Sequence, residues 1–265
     1  MTNNYIQIFD IFPTTLYTNK IENHEKYKEE FYKLYDKYDY EQTSIRNGIE
    51  WFHTTSENIG NPTIHLEDSL SELFEQIISN VKVYVHDILE YKEIFDFIIT
   101  KSWISRSRKP FERIKWHTHS TSDISFSYYL NMPPNSHKLQ FSGNDNHNGL
   151  LAGLNKSDVK DAVRNVNKHN ASTFYMNPPE GSLVLFPSTL QHGTEYASDD
   201  FKGERLAIAG DIVLVFKEDG TNDYSMGYIN PKYWKMYKWG KIKSHINTMT
   251  GSFVYNENDF YNRKI

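Results

Sequence analysis

Cysteine is absent from this sequence of 265 residues. Its absence excludes disulfide scaffolds, iron–sulfur clusters and thiol catalysis, so a bound metal has to be held by His, Asp or Glu. Long apolar runs are also missing. The mean hydropathy is −0.67, and no segment has the run of about 20 apolar residues that a membrane-spanning helix needs. The first residues lack the basic and apolar stretches of a secretory signal. We therefore expect a cytoplasmic protein with no membrane partner.

An excess of positive charge is missing as well. Lys and Arg number 29 against 34 Asp and Glu, which gives a net charge of −5 and excludes a globally basic nucleic-acid coat. The segment 217–265 differs, because lysines alternate there with Tyr and Trp and no acid lies between Asp223 and Glu257. We interpret it as an aromatic and basic C-terminal extension that packs on the domain, so a nucleic-acid partner is not expected. The sequence carries no signal for the oligomeric state.

The order of the patterns predicts the fold class. An alternating strand pattern ends at Pro13, and apolar spacing predicts helices over 22–38 and 66–90. Aromatic and β-branched strand patterns follow at Phe95–Ser105, Phe111–Trp116, Ile124–Asn131, Leu139–Phe141, Ser182–Phe186 and Leu206–Phe216. Because the helices precede the strands, we expect a mainly β sandwich or barrel with N-terminal helices. One domain over 1–265 is predicted, with supporting elements at 1–94, the β core at 95–216 and the extension at 217–265.

Residues 142–180 interrupt the strand patterns and are rich in Asn and Gly. Such a long insertion is typical of a lid, with Gly143, Gly149 and Gly153 as hinges. A solvated insertion without contact to a site is the alternative. His147 and His169 within it are expected to be surface residues.

Histidines carry the main chemical signal. His117 and His119 stand two residues apart just before the strand at Ile124, so their side chains share one face of an extended chain. His192 follows a Pro-Ser turn, and Arg205 opens an apolar strand, where a buried guanidinium needs an anion. The alternatives are exposed histidines and a simple ion pair between Arg205 and Glu204.

Several motifs occur in a specific order along the chain. They are Phe12-Pro-Thr-Thr-Leu16, Ser102-Trp103, His117-Thr-His-Ser-Thr-Ser-Asp-Ile-Ser-Phe-Ser-Tyr-Tyr-Leu130, Gly181-Ser-Leu-Val-Leu-Phe-Pro-Ser-Thr-Leu-Gln-His192 and Arg205. Over about residues 8–216 the chain resembles the Fe(II)- and 2-oxoglutarate-dependent oxygenases, in particular a group of small oxygenases frequent in marine bacteria and phages. The resemblance implies the double-stranded β-helix fold, a jelly-roll, cupin-like barrel.

The resemblance also implies a metal site. His117 and His192 match the two histidine ligands of Fe(II), and His119 stands where the family usually has a carboxylate. We expect His119 to be the third ligand, with Asp123 and Asp145 as alternatives.

The same resemblance assigns the 2-oxoglutarate site. Arg205 matches the residue that binds the C5 carboxylate of 2-oxoglutarate, and Tyr129 matches a strand tyrosine that supports it. Besides His119, three positions depart from the family pattern: Asp123 stands where the family has an apolar residue, Phe126 replaces a Gly, and Ala207 replaces a hydroxyl donor.

The implied activity is that of a dioxygenase that uses Fe(II), 2-oxoglutarate and O₂. We expect it to hydroxylate an unactivated C–H bond of an amino acid, a peptidyl side chain or a small metabolite. The alternative is a non-catalytic β-barrel binding module whose C-terminal tail contacts single-stranded nucleic acid.

Overall fold

The computed structural model describes residues 13–35, 38–39, 42–46, 49–52, 55–56, 63–143, 164–165, 167–169, 171–217 and 231–235. The chain divides into two compact units, Met1–Ile229 and Asn230–Ile265. In the second unit the structure describes only a 3₁₀ turn at Pro231–Tyr233 and the two residues after it. Most of the predicted C-terminal extension therefore lies outside the described residues. Within the described ranges, no helix has the length and apolar character needed to cross a membrane.

The N-terminal part of the first unit combines helices with short strands. Its strands are β1 Tyr17–Lys20, β2 Tyr38–Asp39, β3 Gln42–Arg46, β4 Ile49–Phe52 and β5 Thr55–Ser56, and its α-helices are α1 His24–Leu34 and α2 Ser71–Lys82. Both α-helices are shorter than predicted. Glu67 adopts an extended conformation between two 3₁₀ turns, so α2 begins only at Ser71, and a π-helical segment, Val83–Ile88, follows it. The predicted strand before Pro13 lies outside the described residues.

The β core forms two antiparallel sheets. Its strands are β6 Phe95–Ser107, β7 Ile124–Asn131, β8 Leu139–Ser142, β9 Thr173–Met176, β10 Ser182–Pro187, β11 His192–Thr194 and β12 Arg205–Phe216. The large sheet has the order β1-β10-β7-β12-β6, and the small sheet has the order β11-β8-β9. β9 lies inside the segment that we predicted to be an insertion without strands.

The predicted strand at Phe111–Trp116 is wrong. The Glu112 carboxylate accepts hydrogen bonds from the main-chain N–H groups of Arg108 and Lys109, and these bonds close a turn instead. The irregular backbone after this turn still runs beside β11, because the Thr194 N–H donates to the Ile114 carbonyl at 2.9 Å.

Alternation along β7 gives the large sheet two different faces. Phe126, Tyr128 and Leu130 belong to a buried core that also contains side chains of α1 and α2. Tyr129 belongs to a second core that includes Leu139 of the small sheet. The large sheet is therefore covered by helices on one face and by the small sheet on the other, which we call the inner face.

The same alternation explains the sequence of β12. Leu206 and Ile208 belong to the helix-side core, so Arg205, Ala207 and Asp211 share the inner face. Gly210 lies on the helix side, where an added Cβ would come within 2.5 Å of the Phe126 ring. Only glycine allows this close approach of β12 to the Phe126 ring.

Candidate active site

Three histidines converge between the two sheets. His117, His119 and His192 each offer a ligand atom, and these atoms all lie within 4.8 Å of one another. His117 and His192 are held together by their main chains, which exchange two N–H···O=C hydrogen bonds of 2.9 and 3.0 Å. The main-chain N–H of His119 donates to the Ser188 carbonyl at 2.9 Å. Long-range backbone pairing, rather than a continuous strand, therefore brings the predicted histidines together.

One ring nitrogen of each histidine is already engaged. Nδ1 of His117 lies 2.8 Å from the Lys115 carbonyl, and Nδ1 of His192 lies 2.8 Å from the Leu190 carbonyl. Because a carbonyl oxygen only accepts, each Nδ1 carries the proton and each Nε2 keeps its lone pair. Burial lowers the pKa of both side chains, that of His192 to about 3, so both are neutral at neutral pH. Neutral imidazoles are the form that binds a metal.

The third histidine is oriented by a carboxylate. Nδ1 of His119 forms a hydrogen bond with Asp211, a residue of β12 that is fully buried. The same carboxylate accepts a hydrogen bond from the Ser125 hydroxyl at 2.9 Å and pairs with the Lys101 ammonium at 2.9 Å. Burial alone would raise the pKa of Asp211, but the bonds to His119 and Lys101 outweigh it and hold the pKa below its ordinary value.

Asp211 is a site residue that was not predicted from the sequence. One signal was present: Asp211 is the only acidic residue in the apolar run Leu206–Phe216. A charged residue inside a buried strand requires partners. The partners themselves could not be identified from sequence, because His119 lies 92 positions away.

Arg205 is buried without an acidic partner. Its side chain is 2% exposed, its guanidinium lies 5.3 Å from the centre of the Tyr129 ring, and the Ser105 hydroxyl is 3.5 Å away. Within the described part of the chain, Arg205 Nε and the Tyr129 hydroxyl have no hydrogen-bond partner, and no carboxylate pairs with Arg205. The alternative of a pair with Glu204 is wrong, since Glu204 binds Arg108 at 2.6 Å.

His137 lies in the same electrostatic environment. It is fully buried, and its ring packs edge-on against Phe201. Burial, with the charge of Arg205 as a second cause, lowers its pKa to about 4. This histidine is therefore neutral beside the buried guanidinium at neutral pH.

The histidines and Arg205 line one cavity. Its other lining side chains include Trp103, Ser105, Ser125, Ser127, Leu139 and Phe186. Imidazole nitrogens suit iron, and a buried guanidinium suits a carboxylate. The residues therefore fit a divalent metal at the histidines and a dicarboxylate that reaches from the metal to Arg205.

Two alternative ligands can be compared with this geometry. Asp123 is exposed, and its carboxylate accepts a hydrogen bond from the Leu214 N–H at 2.8 Å. Asp145 and His147 lie outside the described residues, as does most of the predicted lid at 142–180. His169 is exposed, as expected.

A second cluster offers metal-ligating groups near the start of α1. It consists of His24, Glu25 and Glu180. Both ring nitrogens of His24 are engaged, with the Tyr128 hydroxyl at 2.6 Å and with Glu180 at 3.4 Å, and Lys28 pairs with Glu180 at 2.5 Å. These contacts make the cluster a structural hydrogen-bond network between the helix and the large sheet.

The comparisons with known proteins agree with this arrangement. A family model described as "Putative 2OG-Fe(II) oxygenase" matches residues 101–211, which span from Lys101 in β6 to Asp211 in β12. No curated protein matches the sequence.

Several solved structures resemble the fold, among them two enzymes of nogalamycin biosynthesis. The chain is similar to the non-heme alpha ketoglutarate dependent epimerase SnoN from nogalamycin biosynthesis, with 10% identity, 79% of this chain and 81% of that chain covered, and a TM-score of 0.51. It is also similar to the non-heme alpha ketoglutarate dependent carbocyclase SnoK from the same biosynthesis, with 11% identity, coverage of 80% and 85%, and a TM-score of 0.50. At this identity the likeness concerns the fold alone, and it confirms the predicted double-stranded β-helix.

The family match covers the strands that carry the candidate site. Fe(II), 2-oxoglutarate and O₂ are therefore the cofactor and co-substrates of this protein. The protein is an enzyme, and its residues 101–211 match the 2OG-Fe(II) oxygenase family model.

Proposed function

We propose that this oxygenase hydroxylates an unactivated C–H bond of an amino acid, a peptidyl side chain or a small metabolite. In this proposal His117, His119 and His192 hold Fe(II) through Nε2, and Arg205 binds the C5 carboxylate of 2-oxoglutarate together with the Tyr129 hydroxyl. When bound, the metal and 2-oxoglutarate supply the oxidising power, as O₂ is consumed and 2-oxoglutarate is converted to succinate and CO₂.

One observation carries the proposal. Three imidazoles whose Nδ1 atoms are all engaged lie in the same cavity as a buried guanidinium that has no acidic partner among the described residues. An unpaired charge in the interior costs several kcal/mol, so such an arrangement is typical of a site that is completed by an anionic ligand.

The chain's own residues then have separate tasks. The main-chain carbonyls of Lys115 and Leu190 fix the orientation of two imidazoles, so the metal meets a preformed set of nitrogens. Arg205 fixes the far end of 2-oxoglutarate, and the apolar side chains of Leu139 and Phe186 exclude water from the cavity.

An anaerobic titration tests the proposal. Fe(II) is added to the protein with 2-oxoglutarate in excess, and a visible charge-transfer band of the chelated complex is expected. His192→Ala should abolish the band and the conversion of 2-oxoglutarate, because it removes one of three ligands. Asp123→Asn is the matched control and should retain both.

Two results would contradict the assignment. Full activity of His192→Ala would exclude that residue as a ligand. Loss of the band in Asp123→Asn, with His119→Ala unaffected, would make the carboxylate the third ligand.

The substrate and the outcome are tested in a second step. Candidate amino acids, peptides and metabolites are screened for substrate-dependent formation of succinate, and the product is analysed by mass. A gain of one oxygen atom is the expected result. Desaturation or rearrangement without that gain would show that the enzyme is not a hydroxylase.

A further inference from the structure

We propose that Asp211 is a positioning residue of the metal centre that acts through His119. The carboxylate that the resembled family usually places on the metal would lie here one side chain further out. This inference rests on the proposed function, since it requires His119 to be a ligand.

The position of Asp211 in the fold supports this role. β12 is paired with both β7 and β6, so Asp211 lies opposite Ser125 on one side and Lys101 on the other. The side chains of Asp211, Ser125 and Lys101 are on the inner face, and those of Ser125 and Lys101 both contact the Asp211 carboxylate. The backbone of the large sheet therefore fixes the carboxylate, and the carboxylate fixes the ring of His119.

The three histidines differ in what holds their Nδ1. His117 and His192 each face a neutral main-chain carbonyl, whereas His119 faces the Asp211 carboxylate. A carboxylate partner makes an imidazole more electron-rich and fixes its tautomer more strongly than a carbonyl does. Among the three proposed ligands, His119 thus gains the anionic character that a direct carboxylate ligand would supply.

If Asp211 only stabilised the fold, its carboxylate would not need to contact His119. Lys101 and Ser125 alone would satisfy a buried carboxylate, and an isolated ion pair of this kind contributes little to stability compared with apolar residues. The contact that remains to be explained is the hydrogen bond to His119, because it engages Nδ1 and leaves Nε2 as the nitrogen that can bind a metal together with the other two imidazoles.

The first experiment measures metal affinity with Co(II) as the probe, followed by its d–d absorption. Asp211→Asn should weaken Co(II) binding by about 10- to 100-fold, the usual effect of removing a hydrogen-bond partner of a metal ligand. Asp123→Asn, which removes a nearby exposed carboxylate, should bind Co(II) like the parent. Thermal melting of each metal-free variant checks that it is folded.

A double-variant comparison separates positioning from support of the fold. In His119→Asp the carboxylate is placed directly at the ligand position, close to the charge of Asp211. Asp211→Asn in that background should therefore change Co(II) binding much less than in the parent, because no imidazole remains for Asp211 to orient. An equal loss of affinity in both backgrounds would overturn the inference, because Asp211 would then act independently of His119.

A measurement on the unsubstituted protein needs no variant to fold. ¹⁵N-detected NMR of the metal-free protein should find a proton on Nδ1 of His119. The opposite tautomer would overturn the inference.

If the parent fails to bind Co(II), or binds it no more tightly than His117→Ala does, the proposed metal centre itself is wrong. Tight binding by the parent together with an unchanged Asp211→Asn contradicts only the role of Asp211.

Discussion

Replacing Arg205 with Met separates the cost of burying a guanidinium from its use in binding 2-oxoglutarate. The side chain is 2% exposed, its Nε has no hydrogen-bond partner within the described residues, and no carboxylate there pairs with it. Met resembles the aliphatic part of the Arg side chain and carries no charge, so the variant removes the charge while the packing of that part is retained.

The substitution Arg205→Met should change two quantities, the affinity for 2-oxoglutarate and the stability of the metal-free protein. A hydrogen bond to a charged group is worth about 1.5–3 kcal/mol, so the dissociation constant of 2-oxoglutarate should rise about 10- to 100-fold. The metal-free protein should become more stable, since apolar replacement of buried charges is often stabilising by about 1–4 kcal/mol. For a domain of this size, each kcal/mol raises the melting temperature by about 2–4 °C.

The assay is thermal melting with and without Mn(II) and 2-oxoglutarate. At 2-oxoglutarate concentrations of 100 times the dissociation constant, the parent gains about 2.7 kcal/mol from the ligand. If the variant binds 100-fold more weakly, its gain at the same concentration falls to about 0.4 kcal/mol. The melting temperature of the metal-free variant is therefore expected to rise, while the increase in melting temperature caused by 2-oxoglutarate nearly disappears.

Arg108→Met is the matched control. Arg108 is 53% exposed and pairs with Glu204, and an exposed ion pair contributes about 0–1 kcal/mol. Its removal should leave the affinity for 2-oxoglutarate unchanged. The reasoning about Arg205 is refuted if Arg205→Met lowers the stability of the metal-free protein and keeps the full ligand-induced shift.

Three further predictions concern residues around the cavity. Gly193→Ala should weaken Co(II) binding at least tenfold, because an added Cβ would lie 2.7 Å from the Ile114 carbonyl oxygen and separate His192 from His117; titration of the variant checks this. Tyr129→Phe should raise the Michaelis constant for 2-oxoglutarate several-fold without destabilising the metal-free protein, since the lost hydroxyl has no partner within the described chain; steady-state kinetics and melting measure the two effects. His137 has a folded-state pKa of about 4, below the unfolded value of 6.5, so the unfolded chain binds more protons and stability falls as the pH drops from about 6.5 to 4. The loss attributable to this residue is about 3 kcal/mol over that range, and urea unfolding of His137→Phe should show a correspondingly weaker pH dependence.

Local patterns predicted the parts of the site that short segments determine. The spacing of His117 and His119 and the placement of Arg205 at the start of an apolar strand are visible in the sequence because each depends on neighbouring residues. The structure adds the reason for convergence, which is the mutual main-chain hydrogen bonding of His117 and His192.

The remaining parts depend on long-range pairing. Asp211 meets His119 only because β12 lies between β7 and β6, and no local pattern specifies that strand order. The turn closed by Glu112 replaced a predicted strand, since a side-chain hydrogen bond to the main chain competed successfully with β-propensity. The late start of α2 at Ser71 has another cause, since the extended backbone of Glu67 interrupts an apolar spacing of helical period.

The strand order of the large sheet also bears on how the chain folds during synthesis. β12 pairs with β6, roughly a hundred residues earlier, and with β7, so the sheet cannot close until the ribosome has released residues 205–216. Pairing over such separations makes folding slow, because loop closure precedes the contacts that reward it. A nascent or truncated chain ending before Arg205 would present the unpaired edges of β6 and β7, and such edges promote association with other chains. Shortening the protein from its C-terminus into β12 should therefore produce aggregates rather than a smaller folded domain.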